Sequence, residues 1–179
     1  SGHGLVPAMM MIQTRSYLRA LLSECDDPGM ILSRTNQHLL PFDHGKFVTM
    51  LLGRINPRTR SFLFASAGHE AYRLTRNGNV TILDSTGMEL GVLEDERIAT
   101  APELALESGD VILVPTDGVF EAHAPDGTLL GTSRMLDVVH ANRDKPAHEI
   151  VHALYQAARD FTENGRQADD ITIVVIKVE

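Results

Sequence analysis

The spacing of apolar residues changes twice along this chain, and that change limits the folds open to it. Over residues 6–24 the apolar positions Met10, Tyr17, Leu18, Leu21 and Leu22 fall on one helical face. Asp27 followed by Pro28 reads as an N-cap and a first helical residue, which predicts a second helix to about Leu40. After the turn Asp43-His44-Gly45 the period becomes two. Residues 47–55 and 60–66 read as strands paired across Asn56-Pro57-Arg58-Thr59, and 70–75 and 79–83 as a hairpin turned by Asn77-Gly78. Further strands are expected within 97–106 and over 110–116. Helical spacing returns at 134–140 and 146–161, where Ile150, Leu154, Ala158 and Phe161 share a face. The β-branched run 171–178 predicts a central buried strand.

Two helices, five or six strands mostly in hairpins, two more helices and a last strand indicate an α+β fold with antiparallel sheet and packed helices. A doubly wound parallel sheet would need regular alternation of strand and helix, which is absent. With 179 residues and no linker, repeat or low-complexity tract, one domain spanning 1–179 is expected. No apolar run approaches the about 20 residues that span a membrane, and no signal-peptide pattern is present in the residues from Ser1 onward. The single Cys25 excludes an internal disulfide and a cysteine-based zinc site, and a reducing cytoplasm is the expected compartment. A formal charge of −8 argues against nucleic-acid or anionic-membrane surfaces as partners.

Four segments carry the chemistry: Ser1-Gly2-His3-Gly4, Ser66-Ala67-Gly68-His69, Thr116-Asp117-Gly118 and Asp169-Asp170-Ile171-Thr172. Asp117 follows the apolar stretch Val111-Ile112-Leu113-Val114 after Pro115-Thr116, whereas Asp169 and Asp170 precede the last β-branched run. If those two strands are antiparallel neighbours, the end of one meets the start of the other and the acids gather at one edge of the sheet. Carboxylates gathered there repel one another, and a hard cation is their natural partner. Gly118 permits a tight turn and close approach of backbone to a ligand. Taken singly, each segment is explained by turn chemistry alone. No GxSxG elbow surrounds Ser1 or Ser66, and no P-loop or Gly-x-Gly-x-x-Gly pattern is present. A zinc site is not expected.

The order of the four segments is more specific than any one of them. Together with Pro115-Thr116-Asp117-Gly118-Val119-Phe120-Glu121-Ala122, Phe47-Val48-Thr49 and the Gly109-Asp110 turn, they make the chain resemble the PPM-type metal-dependent protein serine/threonine phosphatases. The resemblance is to the bacterial branch of sporulation and stress-response phosphatases in sigma-factor partner-switching systems. It implies antiparallel sheets packed as a sandwich and flanked by helix pairs, with a two-metal Mn2+ or Mg2+ centre. Asp117 and Asp169 match metal-ligand positions, with Asp170 beside them. Gly4, Gly68, His69 and Gly118 would line the site, and His3 would help protonate the leaving serine or threonine oxygen. Such a centre polarises the phosphate and acidifies a water for in-line attack. The implied substrate is a phosphorylated anti-sigma-factor antagonist protein.

The resemblance also implies what lies before Ser1. The family's bridging carboxylate precedes the Ser-Gly-His-Gly segment by two residues, so N-terminal truncation, missing first strands and impaired activity are expected, with possible self-association of the fragment. A sensor or receiver module is expected upstream. Pro115 stands where the family has an aromatic residue and predicts a strand end. The competing reading is a catalytically silent regulatory or binding module with the same fold.

Overall fold

In the computed structural model, which describes residues 2, 4–39, 45–163 and 169–179, the elements run α1 (Leu5–Leu21), α2 (Pro28–Leu39), β1 (Met50–Asn56), β2 (Ser61–Ala67), β3 (Ala71–Leu74), β4 (Val80–Leu83), β5 (Leu104–Ala105), β6 (Val111–Pro115), α3 (Asp117–Phe120), α4 (Gly131–Asn142), α5 (Ala147–Phe161) and β7 (Ile173–Lys177). Both sheets are antiparallel and the fold is α+β. His3, Leu40 and the turn residues Asp43 and His44 lie outside the described residues. The chain divides into two compact units, Ser1–Glu70 with Asp84–Leu106, and Ala71–Leu83 with Glu107–Glu179.

In the first unit the sheet order is β1-β2-β5. The Asp27 carboxylate caps α2 by accepting the Met30 amide at 2.7 Å, satisfying an N–H that has no partner inside the helix. The β1–β2 turn is held by Asn56, whose Oδ1 accepts the amides of Arg58 and Thr59 at 3.0 and 3.3 Å. The core joins Leu32 and Leu39 of α2 to Ala65 and Ala67 of β2, with Leu90 and Ile98. Buried Asn36 ties α2 to the loop between β4 and β5, donating to the Leu93 carbonyl and accepting the Gly91 amide, each at 2.7 Å. Of the strand expected within 97–106, only β5 joins a ladder. The Ile98 amide donates instead to Ser33 Oγ and the Ala99 amide to the Thr86 carbonyl, so this backbone is satisfied outside a sheet.

In the second unit the order is β4-β3-β6-β7. Its core includes Tyr72, Leu113, Val119, Met135, Ile150 and Leu154. The expectation of a central β7 is corrected here. Among the described residues β7 pairs only with β6, and Val174 is 48% exposed. The interior strand is β6, whose Val111, Ile112 and Leu113 are wholly buried. β-Branching favours extended backbone at an edge as well as at the centre, so the composition of 171–178 could not tell the two apart. The mouth of β6 is pinned by buried Asp110, which accepts Arg73 Nε at 2.9 Å and the Glu107 amide at 3.0 Å. Among the described residues no helix is long and apolar enough to cross a membrane.

Candidate functional site

The β6–β7 ladder brings the acidic segments together. Its last pair is Pro115 with Ile173. Beyond it the Thr116 amide donates to the Thr172 carbonyl at 2.9 Å, and the Thr172 amide donates to Thr116 Oγ1 at 2.9 Å. Thr116 Oγ1 in turn donates to the Asp170 carbonyl at 3.2 Å. The chain then turns at Asp117 into α3, a single helical turn.

Gly118 permits this closeness. A Cβ on it would lie 2.4 Å from the Asp170 carbonyl oxygen and 3.3 Å from that of Asp169. Asp117, Gly118, Asp169 and Asp170 therefore sit at the same end of the sheet, with 117–118 and 169–170 in backbone contact. Asp117 Oδ1 accepts the Gly118 amide at 2.9 Å, and Asp169 Oδ1 accepts the Asp170 amide at 2.7 Å. An all-oxygen donor set of this kind suits Mg2+ or Mn2+. Among the described residues, however, no three His, Cys, Asp or Glu side chains gather closely enough to hold an ion by themselves.

A pocket of about 50 Å3 opens beside these acids. Gly118, Ala122, Ala158 and Ile171 form its apolar part, and Glu121, His123, Arg159, Thr162 and Asp169 its polar part. Past His123 the chain turns through Asp126, whose carboxyl is held below the usual range by the Thr128 amide, and further by the Thr128 hydroxyl. A larger groove of about 630 Å3 lies in the first unit, along Met10, Met11 and Leu18 of α1, its C-cap Leu22 and Val48. Its lining carries no carboxylate, so it offers nothing to a hard cation.

The remaining expected residues belong to the first unit. Gly68 has φ 65, and its amide donates to Ser85 Oγ at 2.6 Å. Ser66 Oγ donates to the His69 carbonyl at 2.5 Å and accepts the His69 amide at 3.2 Å, closing the loop on itself. His69 Nδ1 lies 3.4 Å from Thr49 Oγ1. Gly4 is the N-cap of α1, with φ 102.

Two features absent from the expectations above are present in the structure. Arg159 and Thr162 reach the pocket from the far end of α5, a contact across sequence that no local motif announces. The other is a His-x-x-x-His spacing, His148 and His152 on α5, which is present in the sequence and runs against the expectation of no zinc site.

The chain is similar to several known proteins. The family described as Stage II sporulation protein E (SpoIIE) matches residues 1–179. Phosphoserine phosphatase RsbU of Bacillus subtilis is 25% identical over 179 residues, covering 98% of this chain and 52% of RsbU. This chain thus spans about half the length of that relative. Among solved structures, the SiaA-PP2C domain of Pseudomonas aeruginosa superposes with a TM-score of 0.87 at 22% identity, covering all of this chain and 72% of that one. The RsbU and RsbW domains of Rv1364c from Mycobacterium tuberculosis give a TM-score of 0.78 at 24% identity, covering 97% and 48%. At these identities the structures establish a PP2C-like fold.

Proposed function

Because the chain belongs to the Stage II sporulation protein E family of PPM-type phosphatases, we propose that its two units together form one phosphatase domain acting in the cytoplasm on phosphoserine or phosphothreonine of a regulatory partner protein. The partner class is an anti-sigma-factor antagonist, as the resemblance to the partner-switching branch implies, and a sensor or receiver module upstream would control it. The observation that carries this reading is the contact of Asp117-Gly118 with Asp169-Asp170 at the end of the β6–β7 ladder.

Asp117 and Asp169, with Asp170 beside them, would hold Mn2+ or Mg2+. That metal centre would supply charge neutralisation for the phosphoryl oxygens and an acidified water at neutral pH. The protein's own part is placement. The Gly118 and Asp170 amides orient the Asp117 and Asp169 carboxylates, and the Thr116–Thr172 bonds fix the two strands relative to each other. Gly68, His69 and Gly4 would complete the lining. His3 would give its proton to the departing alkoxide of serine or threonine, the usual work of a histidine acid.

The second reading, a silent regulatory module, is favoured by the lack of a three-ligand cluster among the described residues. One experiment separates the two. Mn2+-dependent phosphate release from a phosphoserine protein is measured on the 179-residue chain and on a version carrying whatever residues the gene encodes before Ser1. Turnover in either that disappears in Asp117→Asn supports the enzyme. Absence of turnover in both, with Mn2+ bound, overturns it.

A further inference from the structure

Helix α5 carries two imidazoles that phosphatase chemistry leaves unused. His148 and His152 stand four residues apart within Ala147–Phe161. The buried stripe of this helix is Ile150, Leu154 and Ala158. At 3.6 residues per turn, positions 148 and 152 fall on the side away from that stripe, and both residues are exposed. Their Cβ atoms are about 5–6 Å apart on a regular helix. A transition-metal ion binds imidazole nitrogen at about 2.0–2.1 Å, so one ion bridges the pair without bending the helix. Neither ring makes a hydrogen bond or ion pair among the described residues, and both are available as donors.

The segment His148-Glu149-Ile150-Val151-His152 has the spelling of a zinc-peptidase helix, in which the intervening Glu acts as base. The structure does not support that chemistry. Glu149 is exposed like the two histidines, and no further His, Cys, Asp or Glu joins them among the described residues. Two ligands on an open helix face chelate an ion but give a peptide carbonyl no cleft.

We propose that His148 and His152 form a two-imidazole surface site for a borderline divalent transition metal such as Ni2+, Cu2+ or Zn2+. It is distinct from the carboxylate end of the sheet in both place and preference. Six residues of helix, about 9 Å along the axis, separate His152 from Ala158 at the pocket. Imidazole selects the later transition metals, whereas carboxylates suit Mg2+ and Mn2+.

The test is calorimetric titration of the 179-residue chain with Ni2+ in excess Mg2+, which occupies oxygen sites. The expected result is one Ni2+ per chain at this site. Losing one of two ligands costs at least as much as losing an outer-shell partner, so His148→Gln and His152→Gln each weaken binding by at least about tenfold. The double variant removes this binding step, and Glu149→Gln retains it. Circular dichroism checks that α5 persists. Should the double variant fail to fold, the single variants carry the comparison, read also as loss of the rise in Tm that Ni2+ gives the wild type. Unchanged Ni2+ affinity in both single variants overturns the proposal. So does Ni2+ uptake that appears only with dimerisation in light scattering, because the ion would then bridge two chains.

Discussion

The Cα of Gly118 lies against the Asp170 carbonyl so closely that an added Cβ would sit 2.4 Å from the oxygen. In an ordinary helix, Gly→Ala gains about 1 kcal/mol from propensity. Here the clash is with backbone that is itself held by the Thr116–Thr172 bonds, and overpacking of that kind costs about 1–3 kcal/mol. Gly118→Ala is therefore expected to lower Tm and to weaken Mg2+ binding together. A variant as stable as wild type with unchanged Mg2+ affinity would show that this contact does not position the acids.

Asp117→Asn keeps the size of the side chain and its acceptor for the Gly118 amide, but removes the anionic charge. In whichever form of the protein proves active, Mn2+-dependent turnover should fall by more than the about 10–100-fold typical of losing an outer-shell partner. Tm in the absence of metal should change little. Retained activity would remove Asp117 from the mechanism.

How far the sequence could be read differs by element. The Asp27–Pro28 cap, the Asn56 turn and the β3–β4 hairpin depend on residues next to one another in the chain, and all form as expected. The meeting of Asp117 with Asp169-Asp170 was also legible, because it follows from the antiparallel pairing of two recognisable strands. The edge position of β7, the brevity of β5 and the reach of Arg159 into the pocket were not. Each depends on partners distant in sequence, and neither periodicity nor propensity records which strands become neighbours.

Asp110 and Arg73 form a largely buried ion pair in the second unit, with side chains 2% and 16% exposed. Asp110→Ala leaves the guanidinium without its counter-charge and the Glu107 amide without an acceptor. Breaking a buried pair from one side costs about 3–5 kcal/mol. A urea midpoint unchanged from wild type would contradict that. Replacing both partners with apolar residues of similar volume should recover much of the loss.

Weak Mg2+ binding follows from the donor set at the sheet end. Without a cluster of three or more ligating side chains among the described residues, the 179-residue chain should hold Mg2+ only in about the millimolar range, as loosely caged oxygen sites do. Calorimetry with Mg2+ rather than Ni2+ reads this site without interference from the α5 histidines, and His148→Gln should leave the result unchanged. Tight binding of two Mg2+ per chain would refute it.

Self-association is expected along β7. Among the described residues this strand pairs on one side only, and Val174 is exposed on it. An edge rich in Ile and Val is a template for a strand from another chain. Covering one large apolar side chain is worth about 1.5–3 kcal/mol, a large share of the about 5–15 kcal/mol that stabilises a typical domain. Edge pairing between two copies would satisfy the backbone and cover Val174 at once. Light scattering over a range of concentrations should therefore show a growing dimer population. Val174→Lys, which places a charge on the edge and leaves the backbone pairing of residue 174 with Val114 in place, should reduce it. A monomer at all concentrations would mean that β7 is protected in the isolated chain, and the expectation of an open edge would fail.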